Sequence, residues 1–205
     1  MPIFGCVADD FTGASDAASF LVKGGMSVQL FNGIPEKGSR IAEGVQAIVI
    51  ALKSRTQNTR EAVADTMESL EWLKEQGAEK FYLKYCSTFD STPQGNIGPV
   101  ADAAMEFLGT PYTVLCPALP VNGRAVRNGK LYVGGVPLHE SPMKNHPLTP
   151  MWDCRIANLM EPQSKYPCVE LWKEQMDGPA DEIRAMCMGQ SGAQAHFYVI
   201  PDYQD

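Results

Sequence analysis

Short apolar runs alternate with segments of 3.6-residue apolar rhythm through the first two-thirds of the chain. Runs at Ile3 to Ala8, Val28 to Phe31, Ala47 to Leu52, Phe81 to Tyr85 and Thr113 to Pro117 have the length and β-branched content of buried strands. Between them, Ala14 to Lys23, Asn58 to Glu75 and Ile97 to Leu108 repeat their apolar residues as helices packed on a sheet do. The order is β-α-β-β-α-β-α-β. It predicts an α/β protein with a mostly parallel sheet flanked by helices on both faces.

The pattern changes after Pro117. The stretch GRAVRNGKLYVGGVPL places Asn-Gly and Gly-Gly turn signals between short β-prone runs, which predicts a β-hairpin excursion over residues 124–138. Pro137, Pro142, Pro147 and Pro150 then predict an irregular loop from Leu138 to Met151, a length at which loops usually carry function. A strand over Cys168 to Trp172, a helix starting near Gly178-Pro179 and a strand over His196 to Ile200 complete the pattern. The chain then stops at Tyr203-Gln204-Asp205, directly after a strand.

Composition supports a globular reading. With 44% hydrophobic and 20% charged residues, a chain of 205 residues buries an adequate core without disulfides or metals. A formal net charge of −7 argues against nucleic acid or an anionic membrane as partner. The six cysteines contain no CxxC pair and read as reduced core thiols, no apolar run is long enough to span a membrane, and the N-terminus lacks a signal-peptide pattern, so a cytoplasmic protein is expected.

In open parallel sheets, ligands sit beyond the carboxyl ends of strands, which directs attention to polar residues that follow apolar runs. Four clusters qualify. Asp9-Asp10-Phe11-Thr12-Gly13 follows the first run: a helix cap explains one carboxylate but not two, and adjacent buried carboxylates need cationic, hydroxyl or metal partners. Lys53-Ser54-Arg55-Thr56 follows the third; a cation beside a helix start suits a carboxylate or phosphate, and a solvated turn fits equally well. Lys84 to Pro93, KYCSTFDSTP, offers hydroxyls and the Asp90 carboxylate to a polyol, although a Ser/Thr-rich loop is the commoner meaning of such a stretch. Pro117 to Arg124, PALPVNGR, stiffens the backbone and uses Gly123 to place Arg124, or is a rigid turn with an exposed arginine.

Other signals carry less. Gly33 to Arg40 has P-loop glycine spacing but ends in Ser-Arg, so it reads as a turn, and the chain has no nucleotide-binding signature. His139, His146 and His196 show no ligand spacing with one another or with cysteine, so no metal site is expected. Trp72, Phe107 and Trp172 fall at packing positions.

Taken in order, VADDFTGASD, KSRT, KYCSTFDSTPQGNIG and PALPVNGRAVRNGKLYVGGVPLHES with the following HPLTPMWD resemble the N-terminal half of the four-carbon acid sugar kinase family, closest to the branch acting on 3-oxo-tetronates. The likeness covers nearly the whole chain. It implies ATP-dependent phosphorylation of the terminal hydroxyl of a tetronate such as threonate, erythronate or a 3-oxo form. Family members carry a C-terminal ATP-binding domain, so residues 1–205 are expected to be the sugar-acid-binding half, inactive alone, with ATP and Mg²⁺ bound mainly by the other half.

The resemblance further implies that Asp9, Asp10, Ser54, Arg55, Lys84, Asp90, Ser91 and Arg124 face the substrate. Arg55, helped by Ser54, would hold the carboxylate, while Asp90 and the neighbouring hydroxyls would bind the substrate hydroxyls. Asp10 is assigned to orient or deprotonate the attacking hydroxyl, with Asp9 and Asp90 as alternatives; Lys84 or Arg124 would offset phosphoryl charge. The expected partners are a small sugar acid and a C-terminal nucleotide-binding domain, and the sequence leaves a homo-oligomer open. Two competing readings remain: a sugar-acid-binding module without catalysis, and a haloacid-dehalogenase-like phosphatase, against which the adjacent Asp9-Asp10 pair argues because that chemistry uses Asp-x-Asp.

Overall fold

The structure is a computed structural model that describes residues 4–192 and 194–204. It divides into two compact units, residues 1–86 and 87–205.

The first unit is a strand-helix repeat. Its strands are β1 (Phe4–Ala8), β2 (Val28–Asn32), β3 (Ala47–Ala51) and β4 (Lys80–Lys84), and its helices are α1 (Phe11–Lys23) and α2 (Thr59–Glu75). The strands form one wholly parallel sheet in the order β2-β3-β1-β4. Burial on both faces explains the unbroken AIVIA of β3, in which every residue is buried. Each fully buried Val or Ile there contributes about 1.5–3 kcal/mol.

Alternation along β1 separates the two helices. Cys6 and Ala8 point into a cluster with Val49, Ala51 and the small residues Ala14 and Ala17 of α1. Gly5 faces the other way, where a Cβ would stand 3.1 Å from Leu73 of α2. Phe31 meets Trp72 of α2 edge to face, at 5.3 Å between centroids. Helices therefore cover both faces of this sheet, as the pattern predicts. The expected first strand begins at Ile3, which lies outside the described residues.

The second unit contains α3 (Ile97–Leu108), β5 (Tyr112–Val114), β6 (Arg124–Arg127), β7 (Lys130–Val133) and β8 (Val136–Pro137). It continues with α4 (Ile156–Met160), β9 (Cys168–Leu171), α5 (Lys173–Met176), α6 (Ala180–Gln190) and β10 (Phe197–Pro201). The parallel trio β5-β10-β9 is a sheet of its own, so the fifth predicted strand does not extend the first sheet. Its central strand β10 is buried at Phe197, Tyr198, Val199 and Ile200, and that apolar run takes the position flanked on both sides. The predicted excursion is the antiparallel meander β6-β7-β8, turned by Asn128 and Gly129 in left-handed conformations.

Several boundaries differ from the sequence pattern. β5 ends at Val114, before the predicted Pro117; Leu115 N still donates to Val199 O, but Pro117 has no N–H with which to prolong the ladder. The Leu138 to Met151 loop holds two 3₁₀ turns, Leu138–Glu140 and Pro142–Asn145, the second capped by the Ser141 hydroxyl. α4 and α5, each a turn or so long, left no readable periodicity. No described helix is long and apolar enough to cross a membrane.

Candidate functional site

In the first unit the strand-end rule collects four of the predicted residues. β1 lies between β3 and β4, so the segments leaving these three strands emerge side by side. The backbone ties them together: Asp9 N donates to Lys84 O at 3.0 Å, Leu52 N to Ala8 O at 2.9 Å and Arg55 N to Asp9 O at 3.2 Å.

Arg55 neutralises the acidic pair. Its Nε and Nη2 donate to the two carboxylate oxygens of Asp9 at 2.9 and 2.8 Å, and Nη2 also lies 3.1 Å from Asp10 Oδ1. This is the fork-on-carboxylate geometry that only arginine supplies. Burial pushes the Asp9 carboxyl above its ordinary value, against the opposing hydrogen bonds and charge of Arg55. The same pairing raises the Arg55 pKa despite burial, so the guanidinium stays charged.

Asp10 does two jobs. Its extended backbone (φ −150°) ends β1's exit, and its Oδ1 caps α1 by accepting from Gly13 N at 2.7 Å. Helix α1 accordingly starts at Phe11, three residues before the expected Ala14. Both Asp9 oxygens are bonded to Arg55, whereas the Asp10 contacts converge on Oδ1 and the side chain keeps 32% exposure. Asp10 is thus the carboxylate of the pair with an oxygen to offer.

Lys84, the last residue of β4, folds its side chain against the first turn of α1. Its Nζ donates to Tyr85 O at 2.8 Å and lies 3.3 Å from where a Cβ on Gly13 would stand. That virtual Cβ would also lie 2.6 Å from Asp10 Oδ1, so glycine at position 13 is what lets the capping carboxylate and the lysine approach together. Ser54, expected to assist Arg55 at the ligand, is buried at 4% exposure.

The other predicted residues belong to the second unit. Phe89 and Asp90 are consecutive non-glycine residues with positive φ, 65° and 33°, and both are buried. Such backbone costs on the order of 1–3 kcal/mol per residue and persists only where the surroundings impose it. Thr88 Oγ1 donates to Asp90 Oδ1 at 2.8 Å, and Ser91 Oγ donates to Gln163 Oε1 at 2.8 Å. Arg124 follows the left-handed Gly123; its Nη1 donates to Asn122 O, and its buried Nε meets no hydrogen-bond partner among the described residues. Pro93 lines an open, largely apolar depression of about 380 Å³ with Trp152, Asn158, Glu161 and Pro162, and none of the predicted polar residues borders it.

Sequence reasoning did not single out two residues that hold this region. Gln163 clamps the loop: besides Ser91, its Oε1 receives Gly98 N at 3.4 Å and its Nε2 donates to Leu159 O at 3.0 Å. Gly98 is the complementary requirement, since a Cβ there would lie 2.6 Å from Gln163 Cβ. Asp102, inside α3, accepts from Tyr198 OH at 2.5 Å, Ser164 Oγ at 2.7 Å and Lys165 N at 3.0 Å. The one available signal was a charged residue on the apolar side of a predicted helix.

Comparison with known proteins decides the family. The family model of the sugar-binding N-terminal domain matches residues 4–205. The chain belongs to this sugar-binding domain family. A Haemophilus influenzae protein named 3-oxo-tetronate kinase is 47% identical over 208 residues, covering 99% of this chain and 48% of the relative. A solved Haemophilus influenzae structure is 47% identical with a TM-score of 0.90, covering 98% of this chain and 48% of that one. A Bordetella bronchiseptica structure, a domain-swapped dimer with bound citrate, is 28% identical with a TM-score of 0.78, covering 100% of this chain and 49% of that one. The chain therefore spans about half the length of the relatives it matches, and it shares their α/β sugar-binding fold.

Proposed function

We propose that this chain is the sugar-acid-binding half of an ATP-dependent kinase that phosphorylates the terminal hydroxyl of a four-carbon sugar acid, with a 3-oxo-tetronate as the substrate class. The observation that carries the reading is the division of labour in the Asp9-Asp10 pair. Asp9 spends both oxygens on Arg55, while the cap and ion-pair contacts of Asp10 both fall on Oδ1. Asp10 is then the group that accepts the hydrogen bond of the attacking hydroxyl and takes its proton, as positioning-dominated phosphoryl transfer requires.

Arg55 meets the substrate carboxylate through Nη1, the guanidinium nitrogen not engaged by the two aspartates. This refines the expected role: the arginine is first a clamp on Asp9 and then a ligand for substrate. Lys84 stands at the N-terminal turn of α1, where its charge and the helix dipole both favour an anion. ATP with Mg²⁺ supplies the phosphoryl group; the residues described here form no glycine-rich phosphate cradle, so both are assigned to the remaining half of the longer relatives.

The reading is supported by the kinase names of the relatives and by the citrate in the Bordetella neighbour, a carboxylate-rich molecule of comparable chemistry. The phosphatase alternative needs a carboxylate available to Mg²⁺, and that of Asp9 is paired with the Arg55 guanidinium, whose positive charge disfavours a dication beside it. Titration calorimetry on the 205-residue chain tests the proposal. A 3-oxo-tetronate, threonate or erythronate should bind, ATP should not, and Asp10→Asn should retain most of the binding. ATP turnover by this chain alone, or the absence of binding by all three acids, would overturn it.

A further inference from the structure

The spacing of the histidines along the sequence gave no reason to expect a metal, but the fold creates a juxtaposition that spacing does not reveal. His139 lies in the 3₁₀ turn Leu138–Glu140 that follows β8. Asp153 and Cys154 lie just before α4, and Cys154 O accepts from Leu131 N of β7 at 2.7 Å. A ring nitrogen of His139, a carboxylate oxygen of Asp153 and Cys154 Sγ all lie within 4.8 Å of one another.

Two observations distinguish this trio from a chance cluster. The first is that His139 Nδ1 is buried yet meets no hydrogen-bond partner among the described residues. Leaving such an atom unsatisfied costs about 1–3 kcal/mol, and its other nitrogen, Nε2, lies 3.7 Å from Glu140 Oε1, beyond hydrogen-bond distance. The second is that Asp153 is already held in place. Its Oδ1 accepts from Cys154 N and Arg155 N at 2.6 and 2.9 Å, and its Oδ2 accepts from Asn158 Nδ2 at 2.7 Å. Outer hydrogen bonds that orient a ligating carboxylate are what metal sites require.

We propose that His139, Asp153 and Cys154 bind a zinc-class divalent ion. Imidazole, carboxylate and thiolate are the donors such an ion prefers, at about 2.0–2.3 Å. Around a tetrahedral ion, ligand atoms stand roughly 3.5 Å apart, so a cluster spanning 4.8 Å closes by adjusting side-chain rotamers rather than backbone. On binding, the thiol gives up its proton to solvent, and the resulting thiolate and the Asp153 carboxylate together neutralise the dication in a half-buried setting. Water fills the fourth position. The ion pins the turn after the β6-β7-β8 meander to the segment that enters α4.

The test uses the 205-residue chain, prepared in chelator and then exchanged into metal-free buffer. Zn²⁺ calorimetry should give one site per chain, and Co²⁺ should produce an intense thiolate-to-cobalt absorption band. His139→Ala and Cys154→Ser should each weaken Zn²⁺ at least tenfold, and Cys154→Ser should abolish the band. Circular dichroism melts in chelator show whether each variant folds; if buried Cys154→Ser does not, His139→Gln, at the more exposed position, carries the test. Absence of the cobalt band in the wild type, or unchanged Zn²⁺ affinity in the folded variants, overturns the site. Tetronate binding is read separately, so failure here leaves the substrate proposal standing.

Discussion

Arg55 and Asp9, 46 positions apart in sequence, are joined side on by two parallel hydrogen bonds, Nε to Oδ2 at 2.9 Å and Nη2 to Oδ1 at 2.8 Å. The pair is mostly buried, with side-chain exposures of 24% and 17%. Removing the arginine leaves Asp9 in a poorly solvated place with Asp10 beside it. Arg55→Ala is expected to destabilise the first unit by roughly 1–3 kcal/mol, between the values for exposed and fully buried pairs. Arg55→Lys keeps the charge but not the fork, and should recover only part of that loss in urea denaturation. Both variants should weaken tetronate binding in calorimetry, and wild-type affinity in Arg55→Ala would remove the carboxylate role.

Gly13→Ala separates stability from function. Alanine in the first turn of α1 gains up to about 1 kcal/mol of helix propensity. Its Cβ, however, would lie 2.6 Å from Asp10 Oδ1 and 3.3 Å from Lys84 Nζ, so the cap must shift, at a cost of about 1 kcal/mol. The expected outcome is a melting temperature within a few degrees of wild type and tetronate affinity at least tenfold weaker. A variant with normal affinity would show that Asp10 and Lys84 need not hold their observed positions.

These two predictions use residues that the strand-end rule picked out of the sequence. β1, β3 and β4 were legible as apolar runs, and in a parallel sheet polar residues after such runs gather at one edge, so Asp9, Asp10, Arg55 and Lys84 could be found without coordinates. Their partnerships could not. That Arg55 reaches Asp9 depends on β3 lying directly beside β1, a neighbour relation that periodicity does not encode. Gln163 shows the same limit, because its bond to Ser91 spans 72 positions and it stands outside every motif. The separate β5-β10-β9 sheet was missed for a related reason: a strand's length and composition are local, whereas its choice of sheet is settled by which buried faces must be covered.

Gln163 supplies the next test. Its side chain satisfies Ser91 and anchors itself on Leu159 O, steadying the loop in which Phe89 and Asp90 hold positive φ. Gln163→Leu removes these bonds at similar volume and should cost about 1–2 kcal/mol. Hydrogen exchange at the amides of Thr88 to Ser91 should accelerate at least tenfold, while exchange in β9 and β10 changes little. Equal protection of the loop in both proteins would mean that the strained backbone is imposed from elsewhere.

Tyr198 allows a pH experiment whose sign is fixed. Its hydroxyl is buried and donates to Asp102 Oδ1 at 2.5 Å. Burial first, then the bond to Asp102 and that carboxylate's charge, raise its pKa above the ordinary value of about 10. The neutral phenol is therefore favoured by the native state, and this contribution is complete below about pH 10. It is lost as pH climbs from there toward the native value, because the unfolded chain ionises first. Tyr198→Phe should cost roughly 1 kcal/mol at neutral pH, since Asp102 retains Ser164 Oγ and Lys165 N. Cys6 and Cys168, pushed up to about 12 chiefly by burial, lower alkaline stability in both proteins alike. Urea midpoints measured from pH 8 to 11 should therefore show the wild-type advantage holding to about pH 10 and shrinking beyond it. Parallel curves across that range would mean that the Tyr198 proton is not what the native state protects.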